Sequence, residues 1–113
     1  MGSAGIRMTT TVAKVLRIFL EDPTEPQYGF DLMQTAGLPS GTLYPILARL
    51  EHAGWISGKR EVIDPSAAGR PARRMYTLTA EGATVARREL ASLSAQLRPP
   101  VVRRVMRPGE SPA

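Results

Sequence analysis

Five cations crowd one stretch of this chain: Lys59, Arg60, Arg70, Arg73 and Arg74. Ammonium and guanidinium groups at that density suit neutralisation of a phosphate backbone. Just upstream, Ser40, Thr42 and Tyr44 supply hydroxyls, and Arg49 follows them. Such groups donate to phosphate oxygens and to base edges. Arg70 stands between Gly69 and Pro71, so its backbone is slim and pre-extended. That geometry suits an arginine entering a narrow A·T-rich minor groove, although the same tripeptide also occurs in solvated loop tips. Glu61 and Asp64 dilute the local charge. Strand alternation sends the cations to different faces, so not all five reach one partner.

Catalytic and metal chemistry have no foothold. The chain has no cysteine, which removes disulfides, cysteine nucleophiles and thiolate metal sites. The lone histidine, His52, cannot build a zinc site, which needs three or four ligands, and it is assigned no role. No nucleophile–base pair, paired acid and base, or phosphate-cradling glycine loop has a recognisable spacing. No enzyme activity, cofactor or metal is expected.

At 113 residues the chain is one small domain, which buries a limited share of its surface and gains from dimerisation. Lysine and arginine outnumber aspartate and glutamate by 15 to 10, and the pI is about 10.4, a balance that suits an anionic partner. Residues 98–113 hold four arginines, one glutamate and four prolines. This tail is expected to be flexible, and with a net +3 it leaves only +2 of the chain's +5 to the rest. No apolar run approaches the ~20 residues of a membrane span, and no secretory leader is evident. The expected location is cytoplasmic.

Four helices and a hairpin position the polar residues. Residues 9–20 carry Val12, Val15, Leu16 and Phe19 at helical spacing, with Thr9 or Thr10 as cap and Asp22-Pro23 as stop. Ile18 and Leu20 widen the apolar face. Residues 28–36 read as a second helix closed by Gly37, and Leu38-Pro39 as a turn. A third helix starts at Ser40, its expected N-cap, and carries Leu43, Ile46, Leu47 and Leu50 on its apolar stripe. Pro45 is expected at the end of its first turn, and Ala53-Gly54 closes it. Residues 55–63 and 72–79 read as strands around a loop at 64–71. Thr79 caps a last helix, with Glu81 in its first turn. Ala83, Ala86, Leu90, Leu93 and Leu97 recur there at intervals of 3, 4, 3 and 4, the spacing of a coiled-coil seam. The expected core is Leu32, Leu38, Leu43, Leu47, Leu50, Trp55, Ile56 and Leu78.

On a wheel of ~100° per residue the third helix puts Leu43, Leu47 and Leu50 on one side. Gly41, Pro45, Ala48 and His52 fall opposite. Thr42 and Arg49 flank one edge, and Tyr44 and Glu51 the other. Small residues let the backbone come close to a partner, and first-turn N–H groups favour phosphate. Two roles stand for the hydroxyls: contact with a nucleic acid, or capping by Ser40 and Thr42 with Tyr44 packed on the second helix. Arg49 is either a contact residue or a solvated one.

The segment from Gly37 to Thr79 resembles the PadR family of transcription regulators. The resemblance rests on Gly41-Thr42-Leu43-Tyr44-Pro45, on Gly69-Arg70-Pro71, and on Tyr76-Thr77-Leu78-Thr79 leading to Gly82. It extends over residues 9–97 and is strongest over 28–82. It implies a winged helix-turn-helix, whose third helix enters a DNA major groove while the wing lies on the flanking backbone. It further implies a cytoplasmic homodimer, usually a repressor, at a roughly palindromic operator, with dimerisation through the first and last helices. The single short last helix is similar to that of the small subfamily. Some small members stack flat aromatic drugs on a tryptophan in that helix. The sole tryptophan here is Trp55, so the same device is not expected and any effector is unknown.

The expected fold is mainly α with a small β-hairpin, an α+β winged helix-turn-helix plus a C-terminal dimerisation helix. Its parts are an N-terminal arm (1–8), the DNA-binding domain (9–79), the dimerisation helix (80–97) and the basic tail (98–113). Expected DNA contacts are Ser40, Thr42, Tyr44, Arg49, Lys59, Arg60, Arg70, Arg73 and Arg74. Expected dimer contacts are Ile18, Ala86, Leu90, Leu93 and Leu97, unless the last helix folds back wholly on its own domain. The alternative function is a winged helix that docks a protein rather than DNA.

Overall fold

The computed structural model describes residues 6–97, so residues 1–5 of the arm and the basic tail lie outside the described residues. Helix α1 (Thr10–Glu21) starts at Thr9, whose hydroxyl accepts the Val12 N–H at 3.1 Å, and ends at Asp22. Val12, Val15, Leu16 and Phe19 are buried on one side of it. Strand β1 (Gln27–Tyr28) runs directly into α2 (Gly29–Ala36). Gly37 stops α2 in the left-handed region, with φ 67°.

Helix α3 (Ser40–His52) differs from expectation at its start. Pro39 is the N-cap residue, and its carbonyl accepts the N–H groups of Thr42 and Leu43, both at 3.0 Å. Ser40 is therefore the first helical residue and caps nothing. Pro45 consequently falls in the second turn, inside the helix, rather than at the end of the first. Its missing N–H deprives the Gly41 carbonyl of a helical donor. Leu43, Ile46, Leu47 and Leu50 are buried, as the apolar stripe requires.

A tight turn at Gly54 (φ 81°) leads to β2 (Ile56–Arg60), then a single helical turn α4 (Pro65–Ala68), β3 (Arg74–Leu78) and α5 (Ala80–Leu97). Both hairpin strands are shorter than expected. The expected loop contains α4, which Asp64 caps by accepting the Ser66 N–H at 3.0 Å and which Gly69 ends at φ 71°. The sheet is antiparallel and three-stranded, in the order β1-β3-β2. Its register sets Ile56 opposite Leu78 and Arg60 opposite Arg74, with Tyr28 opposite Met75 on the other edge.

The core joins α1, α2, α3, the sheet and α5. Trp55, Phe19, Leu16, Leu32, Leu43, Leu47, Leu50 and Ile56 are fully buried, and Tyr76, Leu78, Val85 and Ala86 close around them. Leu38 is only half-buried, at the margin of the core. Helix α5 lies across α1, and α2 packs on both α1 and α3. Ile6 and Met8 of the arm pack onto the same core.

Candidate nucleic-acid interface

Because α3 buries its leucine stripe, its opposite face is left to solvent. Ser40, Gly41, Thr42, Tyr44, Pro45, Ala48, Arg49 and His52 are all exposed there. The N–H groups of Ser40 and Gly41 have no acceptor among the described residues, the normal state of a helix start. That end carries partial positive charge and small side chains, which together admit an anionic oxygen. Arg49 folds back along the helix, its Nε donating to the Pro45 carbonyl at 3.3 Å. Tyr44 leans on the first residue of α2: a β-carbon at Gly29 would lie 2.7 Å from its hydroxyl. The ring nevertheless remains 42% exposed, and the hydroxyl has no hydrogen-bond partner among the described residues. Packing on the second helix and availability to a partner thus coexist in this one side chain.

The wing divides its cations in two. Cross-strand partners share a face, so Gly58, Arg60, Arg74 and Tyr76 face the body, while Lys59, Arg73 and Met75 face away. Lys59 and Arg60 are exposed, and their side chains make no hydrogen bond or ion pair among the described residues. Arg73 is exposed too, its guanidinium 5.5 Å from the centre of the Tyr28 ring. Arg70 and Arg74, by contrast, are held by carboxylates. Arg70 grips Glu61 through two nitrogens, at 2.7 and 3.2 Å, rather than extending from the wing tip. Arg74 meets Glu51 at 2.8 Å.

Glu61 does more than dilute charge. It also accepts the Arg73 backbone N–H at 3.1 Å, and the Tyr28 hydroxyl lies 3.5 Å from it. The hydrogen bonds from Arg70 and from the Arg73 backbone hold its carboxyl well below the usual range, at about 2. The same pairing raises the Arg70 pKa. Burial pushes the Tyr76 hydroxyl up. Sequence reasoning passed over Glu61, Glu51 and Tyr28 as partners, because their roles depend on hairpin register.

The apolar seam of α5 is split between the core and the surface. Ala86 is fully buried within its own chain, with buried Gly82 and Val85 beside it, so Ala86 has no surface left for a partner. Ile18 is partly buried and packs against the core, as Leu90 does. Leu90, Leu93 and Leu97 instead line an open groove of about 650 Å3 with Thr10, Ala13, Lys14 and Arg17 of α1. Leu97 at its end is 69% exposed. Among the described residues no helix is long and apolar enough to cross a membrane.

The arrangement has counterparts among known proteins. Residues 15–88 match the family described as Transcriptional regulator PadR-like. The chain is 26% identical to reduced AbfR bound to DNA, with a TM-score of 0.63, covering 82% of this chain and 59% of AbfR. AbfR of Staphylococcus epidermidis crystallised by itself is equally similar, at 26% identity and a TM-score of 0.63, covering 80% of this chain and 56% of that one. The chain thus spans less than two thirds of AbfR. A PadR family transcriptional regulator from Eggerthella lenta is 27% identical with a TM-score of 0.59, over 76% of this chain and 77% of that one. No curated protein matches. A helix-turn-helix with a three-stranded wing sheet, the Gly-Thr-Leu-Tyr-Pro helix start and a family match over 15–88 lead to one conclusion: the chain belongs to the PadR-like family of transcriptional regulators.

Proposed function

We propose that the protein is a homodimeric, sequence-specific DNA-binding repressor that recognises an inverted-repeat operator. Helix α3 enters the major groove by its N-terminal end, with Ser40, Thr42 and Tyr44 reaching phosphates or bases and Arg49 behind them. Lys59 and Arg73 lie along the flanking backbone, Arg60 stands on the inner face of the wing, and Arg70 and Arg74 shape the wing that carries them. The observation that carries this reading is the exposed, small-residue start of α3 together with wing cations that have no ion-pair partner among the described residues. AbfR, which has been solved bound to DNA, supports it by similarity.

Dimerisation is proposed through the groove between α1 and α5. Leu90, Leu93 and Leu97 present apolar surface there that the described residues leave uncovered. A two-fold pair of protomers places two copies of α3 one DNA turn apart, which an inverted repeat matches. The test is anisotropy titration of a labelled duplex from the chain's own upstream region against a scrambled duplex. Transcription from that promoter, with and without protein, tests repression. Tight binding to the first duplex alone, with reduced transcription, is expected. Equal binding to both duplexes contradicts specific recognition.

A further inference from the structure

Glu51, in the last turn of α3, touches both strands of the wing. Its Oε2 accepts the Gly58 N–H of β2 at 3.2 Å and an Arg74 Nη2–H of β3 at 2.8 Å. Gly58 leaves the room this requires. A β-carbon there would lie 2.7 Å from both Glu51 Oε2 and Arg74 Nη2. Arg74 is held on its other flank, 5.7 Å from the centre of the Tyr76 ring. The register adds a reason for a carboxylate here. Arg60 stands directly opposite Arg74, and like charges across a strand pair repel. Glu51 offsets that repulsion at the point where the hairpin leaves the body.

The base of the hairpin is fixed by buried Ile56 and Leu78. Further out on the inner face, β2 meets α3 through this carboxylate. A half-exposed ion pair adds little to global stability, so its effect is on orientation. We infer that Glu51 is a positioning residue that sets the angle between α3 and the wing, so that both fit one stretch of DNA in register. This rests on the proposal that both elements contact DNA. In that setting Glu51 works against simple electrostatics, since a carboxylate near phosphates is repelled by them.

That opposition gives the test its sign. Two variants loosen the clamp by different routes. Glu51→Gln removes the charge, and Gly58→Ala displaces the Glu51–Arg74 pair while leaving every charge in place. Each is titrated against the operator and against operators altered either under the α3 half-site or under the wing flank, beside the wild type. Thermal melts run in parallel, and amide exchange is followed at residue 58. Both variants should melt close to wild type and exchange the residue 58 amide faster. Both should bind the operator on the order of tenfold more weakly, the worth of about one lost contact. Discrimination under the wing flank should shrink while discrimination under α3 persists. Unchanged affinity in both variants, or tighter binding by Glu51→Gln, overturns the inference while wild-type binding stands. Absence of specific binding by the wild type removes the DNA reading itself, and the positioning role with it.

Discussion

The α-carbon of Gly82 lies so close to the backbone carbonyl of Trp55 that a β-carbon at residue 82 would overlap it. Thr79 makes this contact by working on both sides of it. Its hydroxyl accepts the Gly82 N–H at 2.9 Å and donates to the Gly54 carbonyl at 2.7 Å, and its own N–H reaches the Trp55 carbonyl at 2.9 Å. The start of α5 is thereby pinned to the turn between α3 and the wing. Gly82→Ala gains up to ~1 kcal/mol of helix propensity, but the obstacle is backbone, and overpacking of this kind costs about 1–3 kcal/mol or more. The variant is expected to be the less stable one in urea denaturation. Equal or greater stability would show that α5 is not held at this contact.

Glu61 ties wing order to pH. Its carboxyl is held at about 2 against an ordinary 4.5, so its contribution is complete above pH 4.5 and is lost as pH falls toward 2. In the folded protein the Arg70 pairing and the Arg73 N–H bond should dissolve as pH falls through about 2. NMR of the Arg73 amide should follow a transition well below 4.5 in the wild type, and Glu61→Gln should abolish it. A transition centred at 4.5 would mean that Arg70 and Glu61 are not paired.

Much of this architecture was legible in residue pattern. The leucine stripe of α3, the Thr9 and Thr79 caps and the Gly37 stop are local signals, and each element they mark is present. What pattern missed is nonlocal or very short. β1 has two residues, too few for an alternation, and exists because β3 offers Met75 and Tyr76 an edge. The turn α4 hid inside a loop-like composition, although Asp64, Pro65 and Gly69 are cap, first-turn and stop residues. The 3-4 spacing of the α5 seam predicts one continuous stripe. A helix on a curved body buries its first turns and frees its last, so Ala86 went to the core and Leu97 to the surface. The acidic partners of Arg70 and Arg74 lie 9 and 23 residues away, beyond any local pattern.

Among the wing cations, phosphate contact should separate from ordering of the wing. Lys59→Ala should weaken binding evenly across DNA sequences and flatten the salt dependence by about one unit. Arg70→Ala should instead lower affinity on every flank without flattening the salt slope by a full unit, because it removes the partner of Glu61 that orders the wing rather than a phosphate contact. Salt titrations on two flank sequences distinguish the two. An Arg70→Ala protein with wild-type affinity on both would show that Arg70 does not order the wing for binding.

The groove between α1 and α5 makes a separable prediction. Leu90 also packs on the protomer core, so its substitution mixes folding with assembly. Leu97 is 69% exposed and lines only the groove side. Burying a leucine contributes roughly 1.5–3 kcal/mol, which a carboxylate would forfeit at each of two symmetric sites. Leu97→Asp is expected to sediment as a folded monomer with weakened operator binding, where the wild type sediments as a dimer. A wild-type monomer at micromolar concentration, with and without DNA, would contradict the proposed assembly.

Specific recognition of DNA is proposed to need α3 and the wing together. Hydroxyl-radical footprinting of the chain's own upstream region, repeated at increasing salt, tests it most directly. Two protected half-sites in inverted orientation are expected, about one helical turn or ~10 bp apart, each with protection extending into its flank and fading steeply with salt. Uniform, sequence-independent protection at low salt, or none, would contradict it.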